Sequence, residues 1–254
     1  MWPTAHVFWD SKAGNTSDEY EDAYWAEHLK DDEKELFICA IADGATSTSY
    51  SKLWAQLLVQ AYCNRTFDPH QAQNSLTPVQ QEWRNQIGSK PLPWFAQEKL
   101  RQGAFATILG ITLQSDDSHE AGCWQAVAIG DSCLVQIRQG QLLCSFPLAQ
   151  SFQFDSSPVL LSSNPSSNQQ IQESLCTVEG TWQTGDSFLL MTDALACWFI
   201  SSMEQQHTDH ILQLQALTSQ EQFGQLISTE RSAVDIKQVK RLKNDDVTLV
   251  RILL

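Results

Sequence analysis

Positive charge is scarce in this sequence of 254 residues. Lysine and arginine together number 16 against 30 aspartates and glutamates, which gives a formal net charge of −14. A surface of that sign repels the phosphates of nucleic acids and the headgroups of anionic membranes. The composition therefore argues against nucleic-acid and membrane binding, and it favours cations or other proteins as partners.

Long apolar runs are also lacking. No stretch approaches the roughly 18 to 20 continuous apolar residues that a membrane helix needs, and MWPTAHVFWDSKAG has no basic start before a long apolar segment. The seven cysteines form no CxxC pair, and Cys39, Cys133 and Cys197 lie in apolar runs, as small buried residues do. We therefore expect a cytoplasmic protein in a reducing compartment.

Apolar strands that end beside a carboxylate recur along the chain. FICAIADGAT suits a buried strand that ends at Asp43 and Gly44, and a helix with apolar residues at helical spacing follows in YSKLWAQLLVQAYC. DSFLLMTDALACWF repeats this order around Asp193. The last predicted strand, DDVTLVRILL, begins at Asp245 and Asp246.

The order of the predicted elements indicates the fold class. AFATILGITL, WQAVAIG and CLVQIRQGQLLCSF form a run of strands with a tight turn at Gln139-Gly140, and the helices gather in two blocks. This order is typical of an α+β domain in which helices cover antiparallel sheets. The polar stretches Phe67 to Thr77 and Ser156 to Gln170 both indicate loops. We expect one domain over residues 1–254.

The strand-end acids suggest a metal site. Glu21 and Asp22 in DEYEDAYW extend the series. Each acid taken alone is more simply explained as a solvent-facing residue. Converging buried carboxylates repel one another unless cations neutralise them, however, and oxygen ligands without a His or Cys cluster prefer Mg²⁺, Mn²⁺ or Ca²⁺ to zinc. The ordered set therefore favours a hard-cation site.

Five segments carry a resemblance to a known family. The series EYEDAYW, FICAIADGAT, AVAIGDSCLVQI, GDSFLLMTDAL and NDDVTLV resembles, in order and spacing, the signature of the type 2C metal-dependent protein phosphatases, the PPM family. Each motif alone is weak, but five in order beside apolar strands are specific. The resemblance extends from about Gly14 to Leu254. It implies a bacterial-type single domain with a four-layer α/β/β/α sandwich, two central antiparallel sheets flanked by helices.

The resemblance also implies a centre of two Mg²⁺ or Mn²⁺ ions. Asp43 would bridge both ions, and the carbonyl of Gly44 would bind one of them. Asp193 and Asp245 would complete the coordination shell of the other ion.

Further acids take roles by the same resemblance. Asp22 would hold metal-bound water, and Asp131 of the GDS segment matches a residue that binds a third ion in some members. Glu21 and Asp246 are supporting acids beside these ligands.

The implied reaction is hydrolysis of phosphoserine or phosphothreonine in a protein, by direct attack of water without a phosphoenzyme. Two ions roughly 4 Å apart lower the pKa of a shared water and neutralise phosphoryl oxygens during in-line displacement. The implied partners are a phosphorylated protein and a cognate Ser/Thr kinase. Peptide specificity would come from variable loops around the site.

The chain departs from the family pattern around the substrate. Ser17 stands where many members carry an Arg that grips the phosphate, and Lys12 is a candidate replacement, although such a lysine is more often solvated. Ala45 stands where some members have a proton-transferring His. Thr46 and Ala194 replace glycines, and FPLAQSFQFDSSPVLLSS takes the place of a mobile flap.

Two alternatives to the protein phosphatase stay open at this point. The missing Arg favours an inactive relative, a pseudophosphatase that binds and regulates a partner, and a small-molecule phosphatase would carry the same signature. His207 and His210 have an i, i+3 spacing that suits zinc, but without a third ligand nearby we expect both to be exposed surface residues. Retention of every acidic ligand favours the protein phosphatase.

Overall fold

Two antiparallel sheets of five strands each form the centre of the fold in the computed structural model, which describes residues 3–31, 34–88, 100–116, 120–154, 157–234 and 238–254. The strands are β1 (Thr4–Asp10), β2 (Ala23–Asp31), β3 (Lys34–Ala42), β4 (Phe105–Ala106), β5 (Ile108–Ser115), β6 (Ala121–Ile129), β7 (Cys133–Arg138), β8 (Gln141–Phe146), β9 (Leu161–Ser162), β10 (Cys176–Gln183), β11 (Ser187–Met191) and β12 (Val247–Leu253). The first sheet has the order β1-β12-β11-β7-β8, and the second has the order β10-β6-β5-β3-β2. The short strands β4 and β9 pair separately.

Helices cover the outer faces of both sheets. Those whose two ends lie within the described residues are α1 (Ser51–Cys63), α2 (Ala72–Gly88), α3 (Asp193–Glu204), α4 (Asp209–Ala216) and α5 (Gln220–Ser232). One core joins α1 and α2 to the second sheet, another joins α3, α4 and α5 to the first, and a third lies between the sheets. The predicted α+β fold with a four-layer α/β/β/α sandwich is confirmed. The single domain over residues 1–254 stays a prediction.

The strand β3 shows why FICAIA is apolar throughout. Successive side chains of a strand point to opposite faces of its sheet. Phe37, Cys39 and Ile41 enter the core between the sheets, whereas Ile38 and Ala40 enter the core beneath the helices. Because both faces are covered, residues 37–42 show no polar alternation, and the next polar side chain, Asp43, comes where the strand leaves the core.

One predicted loop is partly helical. The stretch from Phe67 to Thr77 was expected to be a loop because of its polar composition, but α2 begins within it, at Ala72. Leu76 and Val79 are buried on the face of α2 that packs on the core. Their burial outweighs the cost of Pro78, which lies inside the helix and lacks the N–H that a helix interior needs.

Two sequence predictions, on membrane-spanning helices and on the cysteines, can be compared with the structure. Within the described ranges, no helix is both long and apolar enough to cross a bilayer. All seven cysteines are free thiols. Cys39 and Cys133 are buried as expected, whereas Cys197 is only partly buried.

The packing of α1 on the second sheet depends on a glycine. A Cβ at Gly110 in β5 would lie 2.3 Å from ring atoms of Tyr62 in α1. We expect Gly110→Ala to lower the free energy of unfolding by about 1–3 kcal/mol, because the aromatic ring must shift. Urea denaturation followed by circular dichroism measures this change.

Gly224→Ala is the matched control, because a Cβ at Gly224 in α5 meets nothing within 4 Å. That variant should be neutral or more stable by about 0.5–1 kcal/mol, since alanine favours a helix interior. Equal stability of Gly110→Ala and the wild type would contradict the role given to this contact.

Candidate metal centre

The ends of β2 and β3 bring two of the predicted ligands together. Ala23 pairs with Ala42, so Asp22 precedes and Asp43 follows the same pair of residues. The backbone N–H of Asp43 donates to the hydroxyl of Thr107 at 2.8 Å, and the carbonyl of Asp43 accepts from the N–H of Thr107 at 2.9 Å. Thr107 therefore fixes the backbone of Asp43 through both its N–H and its carbonyl.

The first sheet contributes the remaining acids at the same edge of the sandwich. Met191 of β11 pairs with Cys133 of β7 and with Leu249 of β12. Asp193 follows this end of β11, and Asp131 lies in the turn before β7. The sandwich thus collects strand ends from both sheets, and Asp245 and Asp246 lie just before β12.

Asp43 lies at the electrostatic centre of this cluster. Burial raises the pKa of Asp43 well above its ordinary value, and repulsion by four other carboxylates raises it further. The four are Asp22, Asp193, Asp131 and Asp245. The four other acids predicted to bind metal through their side chains therefore lie close enough to Asp43 to oppose its ionisation.

Asp22 has one satisfied carboxylate oxygen and one unsatisfied oxygen. Its Oδ2 accepts hydrogen bonds from the hydroxyls of Thr192 at 3.0 Å and Thr248 at 2.6 Å. Its Oδ1 is buried without a hydrogen-bond partner among the described residues. Burial raises the pKa of Asp22 to about 8, with repulsion by Asp246 and Asp193 adding to it, although the two threonine hydroxyls lower it.

Asp131 is also buried, with 6% of its surface exposed. Burial raises the pKa of Asp131 to about 7, and repulsion by Asp193 adds to the shift, whereas Lys243 opposes it. A divalent cation would oppose these shifts, because it stabilises the ionised form of each carboxylate.

Gly44 is required by close packing. A Cβ at Gly44 would lie 2.7 Å from the carbonyl oxygen of Glu21 and 3.0 Å from the carbonyl carbon of Ser51 at the start of α1. The side chain of Glu21 in turn accepts a hydrogen bond from the Ser51 hydroxyl. Any larger residue at position 44 would push these segments apart and displace Asp43.

Asp246 and Glu21 hold loops together around the cluster. One carboxylate oxygen of Asp246 accepts from the N–H of Glu21 at 2.7 Å, and the other accepts from the N–H of Lys12 at 2.8 Å. These contacts place both acids beside the cluster, and their supporting role stays a prediction.

Lys243 is a component of the cluster that the sequence reasoning missed. Its ammonium nitrogen lies 2.8 Å from Asp245 Oδ2 and 3.3 Å from Asp193 Oδ2. Burial lowers the pKa of Lys243, but the hydrogen bond to Asp245 and the attraction of both carboxylates outweigh it, so the pKa lies above its ordinary value. The available signal was a lysine two residues before Asp245 in a chain that is poor in lysine.

The donor set fits a hard divalent cation in its chemistry. The ligands are oxygens only, the acids repel one another, and Asp22 Oδ1 has no partner in the described part of the chain. Within the same residues, no three acidic, histidine or cysteine side chains are arranged so that they could hold one metal ion. Asp193 and Asp245 face the ammonium group of Lys243 instead. An ion at that pair would compete with Lys243.

The remaining predicted positions are placed as follows. Ser17 is exposed in a short 3₁₀ turn, and the Lys12 ammonium lies 3.9 Å from Asp245 Oδ1. The prediction that His207 and His210 are both exposed is wrong for His210, which is buried against the ring of Trp198 with centroids 4.5 Å apart. The two histidine rings stack, and the described residues supply no third zinc ligand.

Comparison with known proteins finds a matching family model and similar solved structures. The family model described as protein phosphatase 2C matches residues 17–233. The Mycobacterium tuberculosis serine/threonine phosphatase PstP/Ppp is 16% identical with a TM-score of 0.56, over 99% of this chain and 98% of that chain. No curated protein matches the chain significantly.

Two further solved structures are similar. The photosystem II phosphatase PBCP is 15% identical with a TM-score of 0.51, over 100% of this chain and 99% of that chain. PppA, a regulatory component of T6SS in Pseudomonas aeruginosa, is 16% identical with a TM-score of 0.51, over 100% of this chain and 98% of that chain. At these identities the likeness shows the fold alone.

Neutralising Asp43 should stabilise the metal-free protein. The folded-state pKa values of the buried acids in the cluster are raised. The stability that these acids contribute is therefore fully present below their unfolded pKa of about 4 and falls as the pH rises towards 8. In EDTA at pH 8 we expect Asp43→Asn to be more stable than the wild type by about 1–3 kcal/mol, and at pH 5 by less. Urea denaturation at both pH values checks this.

Asp209→Asn provides the matched control, because Asp209 is exposed at the start of α4. It should change the stability by no more than about 0.5 kcal/mol at either pH. A stability difference between Asp43→Asn and the wild type that does not grow from pH 5 to pH 8 in EDTA would contradict the account of the cluster.

Removing the Lys243 ammonium should strengthen metal binding. In Lys243→Met, Asp193 and Asp245 lose their cation, so we expect the Mn²⁺ dissociation constant from calorimetry to fall about fivefold, the scale of exposed ion pairs. Lys30→Met is the control, because Lys30 pairs with Glu35 at 3.2 Å at the opposite end of β2 and β3. Weaker Mn²⁺ binding by Lys243→Met would show that Lys243 does not compete with the ion.

Proposed function

Because the chain belongs to the protein phosphatase 2C family, we propose that it hydrolyses phosphoserine and phosphothreonine in proteins and that it needs divalent metal ions. The observation that carries this proposal is the convergence of Asp22, Asp131, Asp193 and Asp245 on Asp43. A protein that needed only stability would not hold five mutually repelling carboxylates together.

Each acid has a proposed part in holding the ions. Asp43, the Gly44 carbonyl, Asp193 and Asp245 are the ligands that we propose for two Mg²⁺ or Mn²⁺ ions, with Asp131 for a third. When bound, such ions supply Lewis acidity, lower the pKa of water and neutralise the charge on phosphoryl oxygens. The acid cluster requires this neutralisation before an anionic phosphate can approach it.

The chain orients the attacking water through Asp22. Thr192 and Thr248 fix Oδ2 of this carboxylate and leave Oδ1 without a partner among the residues described. We propose that Oδ1 accepts a hydrogen bond from the attacking water and directs it towards phosphorus. No serine, cysteine or histidine nucleophile is needed.

Lys243 and Lys12 are the cations that we propose for the substrate phosphate. Ser17 offers no positive charge where many family members have an Arg, but both lysines lie beside Asp245. An ion at Asp193 and Asp245 would free the Lys243 ammonium to contact a phosphate oxygen. We also propose a phosphorylated protein as substrate, a cognate Ser/Thr kinase as a partner and the cytoplasm as the compartment.

A catalytically inactive, partner-binding protein is the second candidate. The ion pair of Lys243 with Asp193 and Asp245 favours it, because an internal cation already compensates two of the proposed ligands. The two candidates differ in turnover, which one experiment can measure.

Hydrolysis of an aryl phosphate and of mixed phosphothreonine peptides should require Mn²⁺ or Mg²⁺ and stop in EDTA. We expect Asp43→Asn to lower kcat/KM by more than about 100-fold, because even outer-shell changes at metal sites cost about 10–100-fold. Asp209→Asn should keep wild-type activity. Undiminished activity of Asp43→Asn would refute the proposed role, and metal binding without turnover would favour the inactive alternative.

A further inference from the structure

A cavity of ≈ 580 Å³ lies beside the candidate metal centre. Its walls are the loop after β1, one face of α5, and Lys240 and Asn244 from the segment before β12. It shares Lys12 with the centre, since the Lys12 ammonium lies 3.9 Å from Asp245. A group held in this cavity would therefore sit next to a substrate held at the metal centre.

The cavity is locally positive in a strongly negative protein. Its described lining contains three cations, Lys12, Arg231 and Lys240, and one acid, Asp10. Asp10 is already paired with Arg231 at 2.5 Å. Two lysine charges thus remain without an acid of the cavity to balance them, in a chain whose formal net charge is −14.

The two lysine ammonium groups have unused hydrogen-bonding capacity. An ammonium carries three donors. The contacts described for Lys12 are one ion pair at 3.9 Å, and those for Lys240 are one hydrogen bond to the Ser232 carbonyl at 3.5 Å. Both contacts are long, so an incoming anion could bind the lysines without breaking a strong contact. Ser11 and Ser228 add hydroxyl donors to the lining.

Arg231 fixes the cavity relative to the metal centre. Its side chain is only 10% exposed, and its Nη1 donates to Asp10 and to the Ser11 carbonyl at 3.0 Å. Its Nη2 donates to the backbone carbonyl of Asp245 at 2.5 Å. The same guanidinium therefore ties the cavity loop to the backbone of a proposed metal ligand, and the distance between the two sites is set by the fold.

We propose that this cavity binds an acidic side chain near the phosphorylated residue of the protein substrate. The proposal rests on the proposed phosphatase function, because it places the phosphorylated residue at the metal centre. Lys240 would donate to the carboxylate from one side. Lys12 lies between the cavity and Asp245, and the three donors of its ammonium let it contact both this carboxylate and the substrate phosphate. Most of the acidic surface repels such a peptide, so this positive cavity beside the metal centre selects how the peptide lies across the site.

The test compares two peptides on three proteins. One peptide carries glutamates on both sides of a central threonine, and the other carries glutamines at the same positions. Fluorescence anisotropy of the labelled, unphosphorylated peptides in EDTA gives their dissociation constants without turnover. The proteins are the wild type, Lys240→Glu and Lys30→Glu, which changes the net charge equally at the far end of β2 and β3.

We expect the wild type to bind the glutamate peptide more tightly than the glutamine peptide by about fivefold, the scale of exposed charge pairs. Lys240→Glu should abolish or reverse this preference, and Lys30→Glu should keep it. Equal binding of the two peptides to the wild type, or equal losses in both variants, would overturn the proposal.

Aryl phosphate hydrolysis separates this proposal from the proposed function. Lys240→Glu should hydrolyse the aryl phosphate like the wild type, because that substrate has no flanking residues. Absence of hydrolysis in all three proteins would count against the phosphatase, whereas the peptide preference in EDTA would still decide for or against the cavity.

Discussion

Mutual repulsion among carboxylates at one edge of the sandwich is the constraint on which the site depends. Asp43 is opposed by four other acids, and burial removes the water that would otherwise screen them. The fold compensates only part of this repulsion. The hydroxyls of Thr192 and Thr248 donate to one oxygen of Asp22, and the Lys243 ammonium contacts Asp193 and Asp245. A cation that binds the cluster relieves the repulsion that remains. The same repulsion therefore destabilises the metal-free cluster and favours metal binding.

The sandwich makes this arrangement possible because both sheets end at the same edge. Register alone sets Asp22 beside Asp43, through the pairing of Ala23 with Ala42. The extensive cores on both faces of each sheet hold these ends in place, so the acids need no favourable contacts of their own. The same rigidity extends to the positive cavity, which Arg231 joins to the backbone of Asp245.

Much of the architecture could be predicted from the sequence because it depends on local pattern. A strand such as β3 is apolar on both faces, and an acid at its end is visible without any tertiary knowledge. The order of the five signature segments carried the resemblance to the family, and that resemblance implied the four-layer fold. Other features depend on tertiary contacts that no local pattern shows. The helical stretch around Pro78 is stabilised by burial, and His210 is buried against Trp198. Lys243 contacts the cluster only because the fold brings its loop beside Asp193.

Anomalous diffraction at the manganese edge, from crystals grown with Mn²⁺, tests the central claim most directly. The account predicts manganese peaks within about 2.0–2.4 Å of carboxylate oxygens in the cluster, including an oxygen of Asp43. It also predicts that the Lys243 ammonium is displaced from Asp193 and Asp245. A cluster without manganese, in which Lys243 keeps both contacts, would contradict the claim that these acids are held together to bind metal.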